Sequence, residues 1–119
     1  MNLSSCRVSF VGMDALEPAR AEVMAWLPRL GSALDRATGV HVFIEAISQK
    51  RKEQLLRVRI DFSFPDGILE ILHDDPKNAA HDDVFVAIRN AFRAARLQLE
   101  LFKIQPDAVP PPVARQLPV

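Results

Sequence analysis

The chain has 119 residues, 49% of them hydrophobic, enough to close one core and fold as a single globular domain. Its 15 Lys and Arg balance its 15 Asp and Glu, so a nucleic-acid role cannot rest on net charge and must come from how the charges are distributed. A single cysteine, Cys6, excludes an internal disulfide and fits a reducing compartment. The first residues lack a basic segment followed by an apolar one, and no apolar run approaches the roughly 18 residues of a membrane span. The expectation is therefore a cytoplasmic protein with no membrane contact.

Residues 7–13, RVSFVGM, form a β-prone run closed by Gly12 and Asp14. From 15 to 37 the apolar positions Leu16, Val23, Leu27, Leu30 and Leu34 recur at helical spacing, with Asp14 as a candidate cap and Pro18 tolerable in the first turn. Pro28 falls inside that span, which predicts a kink or break near Ala25. Gly39 ends it. Residues 40–48 read as a second strand with Val42, Ile44 and Ala46 on one side, followed by a polar, basic tip over 49–53. Residues 54–64 alternate: Leu56, Val58, Ile60, Phe62 and Phe64 face one way, and Arg57, Arg59, Asp61 and Ser63 the other. Pro65-Asp66-Gly67 is a turn signal, and 68–73 returns as a fourth strand. A loop over 74–80 then leads into the longest helical pattern, 82–104. Beyond it, QPDAVPPPVARQLPV holds four prolines in its last ten residues, which predicts an extended or disordered tail over 105–119 outside a domain of 1–104.

The order β-α-β-β-β-α combines a parallel crossover with an antiparallel meander. Only one face of the third strand is apolar, so both helices must cover that face. The expected fold is an α+β two-layer sandwich, a four-stranded mixed sheet with two helices on one side.

At about 100° per residue, Val84, Ile88, Ala91, Ala95 and Phe102 gather on one side of the last helix, with Phe92 and Leu99 at the edge. Arg89, Arg93, Arg96 and Lys103 fall opposite. Asp82 and Asp83 supply a cap and negative charge at the positive end of the helix dipole. A second basic group, Lys50, Arg51, Lys52, Arg57 and Arg59 against Glu53, lies at the hairpin, while Asp61, Asp66, Glu70, Asp74, Asp75, Asp82 and Asp83 make the connection between them acidic. Solvent faces commonly mix charges at i, i+4, whereas Arg89-Arg93 and Arg93-Arg96 are like-charge neighbours that cost a few tenths of a kcal/mol each. A helix that accepts such repulsion points to an anionic partner, and the planar guanidinium fork suits phosphate.

Other chemistry is poorly supported. Cys6 and His41 could serve as nucleophile and base, but nothing places them together and no third, orienting group is evident. His73-Asp74-Asp75 and His81-Asp82-Asp83 repeat one tripeptide with metal-ligating side chains, but both flank a proline-containing loop and a helix start, where acids cap and solvate. There is no glycine-rich phosphate loop. No catalytic residue, metal or cofactor is expected.

The last helix resembles a known signature. The run Ala87-Ile88-Arg89-Asn90-Ala91-Phe92, then Ala94-Ala95-Arg96 and Gln98-Leu99, preceded by His81 and Asp83-Val84-Phe85, is similar to the ribosome hibernation-promoting factor and ribosome-associated inhibitor family in its short, single-domain form. Val58-Arg59-Ile60-Asp61 through Pro65 and Gly67, the Pro76 loop, Phe10 and Gly12-Met13 add to the resemblance, which covers about residues 7–103. It implies the same β-α-β-β-β-α fold, similar to a double-stranded-RNA-binding domain with an added strand. It also implies binding in the decoding region of the small ribosomal subunit, where tRNA and mRNA sit, with basic helix residues on rRNA phosphates. Translation on idle ribosomes would be blocked as a stress response, without catalysis or cofactor. Arg89 and Arg96 match the family's basic positions and Arg93 is a local addition; Ala94 and Leu97 stand where the family commonly has Lys or Arg, and Pro28 in the first helix is unusual. The dimerisation domain of long members is not expected.

Two functional readings follow. In one, Arg89, Arg93, Arg96 and Lys103, helped by Lys50, Arg51, Lys52 and Arg57, bind rRNA phosphates on the small subunit, with no role for DNA. In the other, the chain is a divergent protein-interaction or regulatory module working through Phe43, Leu97, Leu101 or the tail. Leu97 and Leu101 sit one turn apart, so an exposed apolar patch there favours a protein partner or self-association as a weak homodimer.

Overall fold

In the computed structural model, which describes residues 5–48, 54–76 and 83–104, the alternating run becomes the central strand β3 (Gln54–Phe64). It is flanked antiparallel by β2 (Gly39–Ser48) and by β4 (Gly67–Pro76), and β1 (Cys6–Val11) runs parallel to β2 at the far edge. The strand order is β1-β2-β3-β4. Between β1 and β2 come helix α1 (Glu17–Trp26) and a 3-10 segment (Leu27–Arg36); helix α2 (Asp83–Ile104) follows β4. The expected order, the mixed sheet and the α+β two-layer arrangement are all present.

Register explains the layering. Val42, Ile60 and Ile71 stand side by side across β2, β3 and β4, as do Val40, Phe62 and Leu69, and these positions are buried. Leu56, Val58 and Phe64 extend the same apolar face along β3. Val84, Ala87, Ile88, Ala91, Phe92, Ala95 and Leu99 of α2 close over it with Ala19, Val23, Leu27, Leu30 and Leu34. Three alanines at i, i+4 and i+8 keep the buried side of α2 thin, so the helix backbone can approach the sheet while Ile88, Phe92 and Leu99 fill the flanks.

Several boundaries differ from the sequence expectation. The break expected near Ala25 comes at Trp26–Leu27, because Pro28 starts a new 3-10 segment where its missing N–H costs nothing; Gly31, at φ 79°, adds an unforeseen second kink. Arg36 ends the segment, and Gly39, expected as its stop, begins β2. Asp14 does not cap α1: the N-cap is Leu16, without a side-chain cap, and Leu16 is exposed rather than part of the core stripe. β1 ends at Val11, where Gly12 turns away at φ 70° and lies so close to β2 that a Cβ would sit 2.8 Å from the Ala46 carbonyl oxygen. β4 continues past His73, its expected end, through Asp74 and Asp75 to Pro76, because Arg57 and Asn90 hold those acids in place. The basic tip 49–53, His81 and Asp82, and the proline-rich tail 105–119 lie outside the described residues. No helix among the described residues is long and apolar enough to cross a membrane.

Phe92 joins the two helices to the sheet, being fully buried and stacked on Trp26 with centroids 6.3 Å apart. Phe92→Ala is expected to lower the unfolding free energy by about 3–5 kcal/mol, read by urea denaturation followed through the fluorescence of Trp26, the only tryptophan.

Candidate nucleic-acid interface

Because the inner side of α2 is committed to the core, its remaining surface is fixed in direction. Arg89, Arg93 and Arg96 are exposed there, and none forms an ion pair with another described residue. The helix is anchored at both flanks. On one side the Asn90 amide donates to the Asp75 carboxylate of β4 at 3.1 Å. On the other, Phe92, which follows Arg89 by three residues and precedes Arg96 by four, stacks on Trp26 at an interplanar angle of 17°. Arginines on a helix held this way lose little further backbone entropy on meeting a rigid anionic surface.

The stack also brings in a residue that sequence reasoning missed. Arg29, in the 3-10 segment, sits with its guanidinium 4.6 Å from the Trp26 ring centroid, a cation–π contact beside the Phe92 flank of α2. Trp26 three residues before an arginine at a helical spacing was the available signal. It carried no weight because the first helix was expected to break before this point.

The open face of the sheet behaves differently. Arg57 lies directly across from Asp74 in the β3–β4 register and donates twice to its carboxylate, Nε at 2.7 Å and Nη2 at 3.0 Å. This bidentate pair raises the Arg57 pKa, chiefly through the hydrogen bond. Arg59 stacks over Phe43 at 3.9 Å and approaches Asp61 at 3.5 Å. His41 stacks on the same ring at 3.8 Å, and one ring face cannot hold both, so Phe43 is sandwiched between them. The Ser9 hydroxyl and His41 Nε2 are hydrogen-bonded at 2.7 Å. Burial pushes the Asp61 carboxyl up, with Glu70 adding to the shift and Arg59 opposing it.

The predicted basic residues therefore separate. Arg89, Arg93 and Arg96 share the outer face of the helix layer. Arg57 points to the opposite, open side of the sheet, where Asp74 neutralises it. Lys50, Arg51 and Lys52 lie outside the described residues, and Lys103 belongs to α2 by its backbone. The other candidate chemistries also separate. Cys6 lies on the helix-covered face, where burial raises its thiol pKa, opposite to the shift a nucleophile needs, whereas His41 is on the open face. His73 and Asp75 point toward α2 at 3.4 Å from each other while Asp74 points away, and no group of three metal-ligating side chains exists among the described residues.

No family model matches the chain, and no curated protein matches it in sequence. Solved structures do match in shape. A ribosomal subunit interface protein from Coxiella burnetii superposes with a TM-score of 0.67 at 15% identity, over 83% of this chain and 97% of that one. The N-terminal domain of Thermus thermophilus Protein Y superposes with a TM-score of 0.59 at 19% identity, over 81% of this chain and 94% of that one. The fold that the helix signature implied is the fold these two structures share with this chain.

On the open face, desolvation first and the nearby Arg7 second hold His41 below the ordinary histidine value of 6.5, with Asp61 opposing. A lowered pKa means that the folded state favours neutral His41, so its stabilising contribution is full above that value and lost as pH falls below it. Between pH 7.5 and 5.5 the wild type is expected to lose more stability in urea titrations than His41→Gln; equal losses in both would remove His41 as the titrating group.

Proposed function

We propose that this chain is a ribosome-binding factor that docks the outer face of α2 on rRNA of the small subunit, in the decoding region, and blocks translation on idle ribosomes. The observation that carries the reading is the row Arg89, Arg93 and Arg96: exposed, free of ion pairs to other described residues, and held on a helix whose other side is buried. The shared fold with a ribosomal subunit interface protein and with the Protein Y domain supports the same target. The neutral net charge is no obstacle, because charge is unevenly distributed: the sheet face pairs its own charges, and α2 carries Arg89, Arg93, Arg96 and Lys103 against Asp83 and Glu100.

The mechanism is steric. A folded domain whose longest axis is 45 Å occupies the path of tRNA and mRNA without chemistry or cofactor. Guanidinium forks grip phosphates, and the Trp26–Arg29 stack offers a flat cationic edge beside them. Arg29 joins Arg89, Arg93 and Arg96 as a contact residue, with Lys50, Arg51, Lys52 and Lys103 as further cations, while Arg57 supports the hairpin through Asp74 instead of reaching RNA.

Co-sedimentation with purified small subunits over a salt series tests the reading. Binding is expected to weaken with salt, to be competed by tRNA, and to lose about 0.7–0.9 in log–log salt slope for each arginine removed in Arg89→Ala and Arg96→Ala. Affinity and slope unchanged in the double variant would take the helix stripe out of the interface.

A further inference from the structure

We propose that two copies of this chain associate weakly and reversibly by packing their α2 helices antiparallel about Leu97. Leu97 and Leu101 are 67% and 59% exposed, the most exposed large apolar side chains among the described residues, and ribosomal phosphates offer them nothing. Arg93 precedes Leu97 by four residues and Glu100 follows it by three, the alternating 3-4 spacing of a helix–helix seam.

This seam is complementary to itself. With a two-fold axis through Leu97, at about 1.5 Å per residue, Arg93 of one copy stands about 6 Å along from the axis and Glu100 of the second copy about 4.5 Å, on the same side. Each arginine thus meets a carboxylate, and symmetry makes the contact twice. Parallel, in-register pairing would set Arg93 against Arg93. Apart from Asp83 in the first turn, Glu100 is the only acid of α2, and it falls at the one seam position that neutralises Arg93 in the antiparallel arrangement. Leu101 covers Ala94 of the second copy on the flank nearer β4.

The dimer must be weak. Two leucines a side fall far short of the roughly 800 Å² per partner of a standard interface, and Arg96 of both copies flanks the axis, where the two repel. An equilibrium in the micromolar range or above suits an assembly that must come apart. Arg93 belongs both to this seam and, on the ribosome-binding reading, to the RNA-facing stripe, so dimer and bound monomer exclude one another there.

Sedimentation velocity of the full chain across a concentration series tests the proposal. The wild type is expected to shift from monomer to dimer, Leu97→Arg to raise the midpoint concentration at least about tenfold, and Arg93→Glu to weaken association because it faces Glu100. The double variant R93E/E100R, which restores opposite charges across the axis, is expected to recover the wild-type midpoint. All these positions are exposed, so circular dichroism should be unchanged. A chain that stays monomeric up to about 1 mM, a dimer indifferent to Leu97→Arg, or a double variant no better than Arg93→Glu overturns the proposal. If the chain is monomeric and Leu97→Arg instead weakens binding to small subunits, the leucines face a ribosomal component, and the ribosome reading stands without the dimer.

Discussion

The packing of α2 across β3 and β4 is the interaction on which the rest of the molecule depends. A strand with a two-residue period offers Leu56, Val58, Ile60 and Phe62 on one side, and a helix with a 3.6-residue period answers with Ala87, Ile88, Ala91, Ala95 and Leu99. Neither surface could remain in water: each large side chain buried contributes about 1.5–3 kcal/mol. Once that contact forms, the opposite side of α2 has no freedom of direction. The position of the arginines is a by-product of where the leucines and alanines must go.

The same constraint divides the charges. With both helices on one face, the other face of the sheet stays open, and its polar residues must find partners across the strands. They do so by register: Arg57 opposite Asp74, Arg59 opposite Phe43, His41 beside Ser9. Cross-strand pairs at this spacing are worth a few tenths to one kcal/mol each and leave little net field. On α2 no facing strand supplies acids to Arg89, Arg93 and Arg96, which form no ion pair with another described residue and keep their charge. A chain of zero formal charge thereby carries a sheet face whose charges pair across strands and a local cationic stripe on α2.

The edges of the sheet receive unequal treatment. On β1 the Arg20 guanidinium donates to the Val8 carbonyl at 3.1 Å and lies 5.5 Å from the Phe10 ring centroid, so α1 covers that edge with a charge. β4 carries Glu70, Asp74 and Asp75 and ends at Pro76, which discourages pairing with another strand. Pairing through strand edges is thus discouraged, whereas Leu97 and Leu101 of α2 stay exposed. On the other flank of α2, Arg29 of the 3-10 segment lies over Trp26.

The sequence by itself determined the element order, the apolar face of β3, both faces of α2 and the one-sided cover of helices, because these follow from periodicity, and periodicity is a local property of the chain. The isolation of Arg89, Arg93 and Arg96 was legible for the same reason: no acid lies one turn away except Glu100 beyond Arg96. Only the tertiary structure decided that Arg57 belongs to Asp74, that Asp74 and Asp75 are strand, that Cys6 and His41 lie on opposite faces, and that Arg29 joins the helix layer through Trp26 and Phe92. Those facts depend on which residues meet across the fold, as Arg57 meets Asp74 17 positions on and Phe92 meets Trp26 from another helix. Register and stacking set such meetings, and no spacing along a single segment records them.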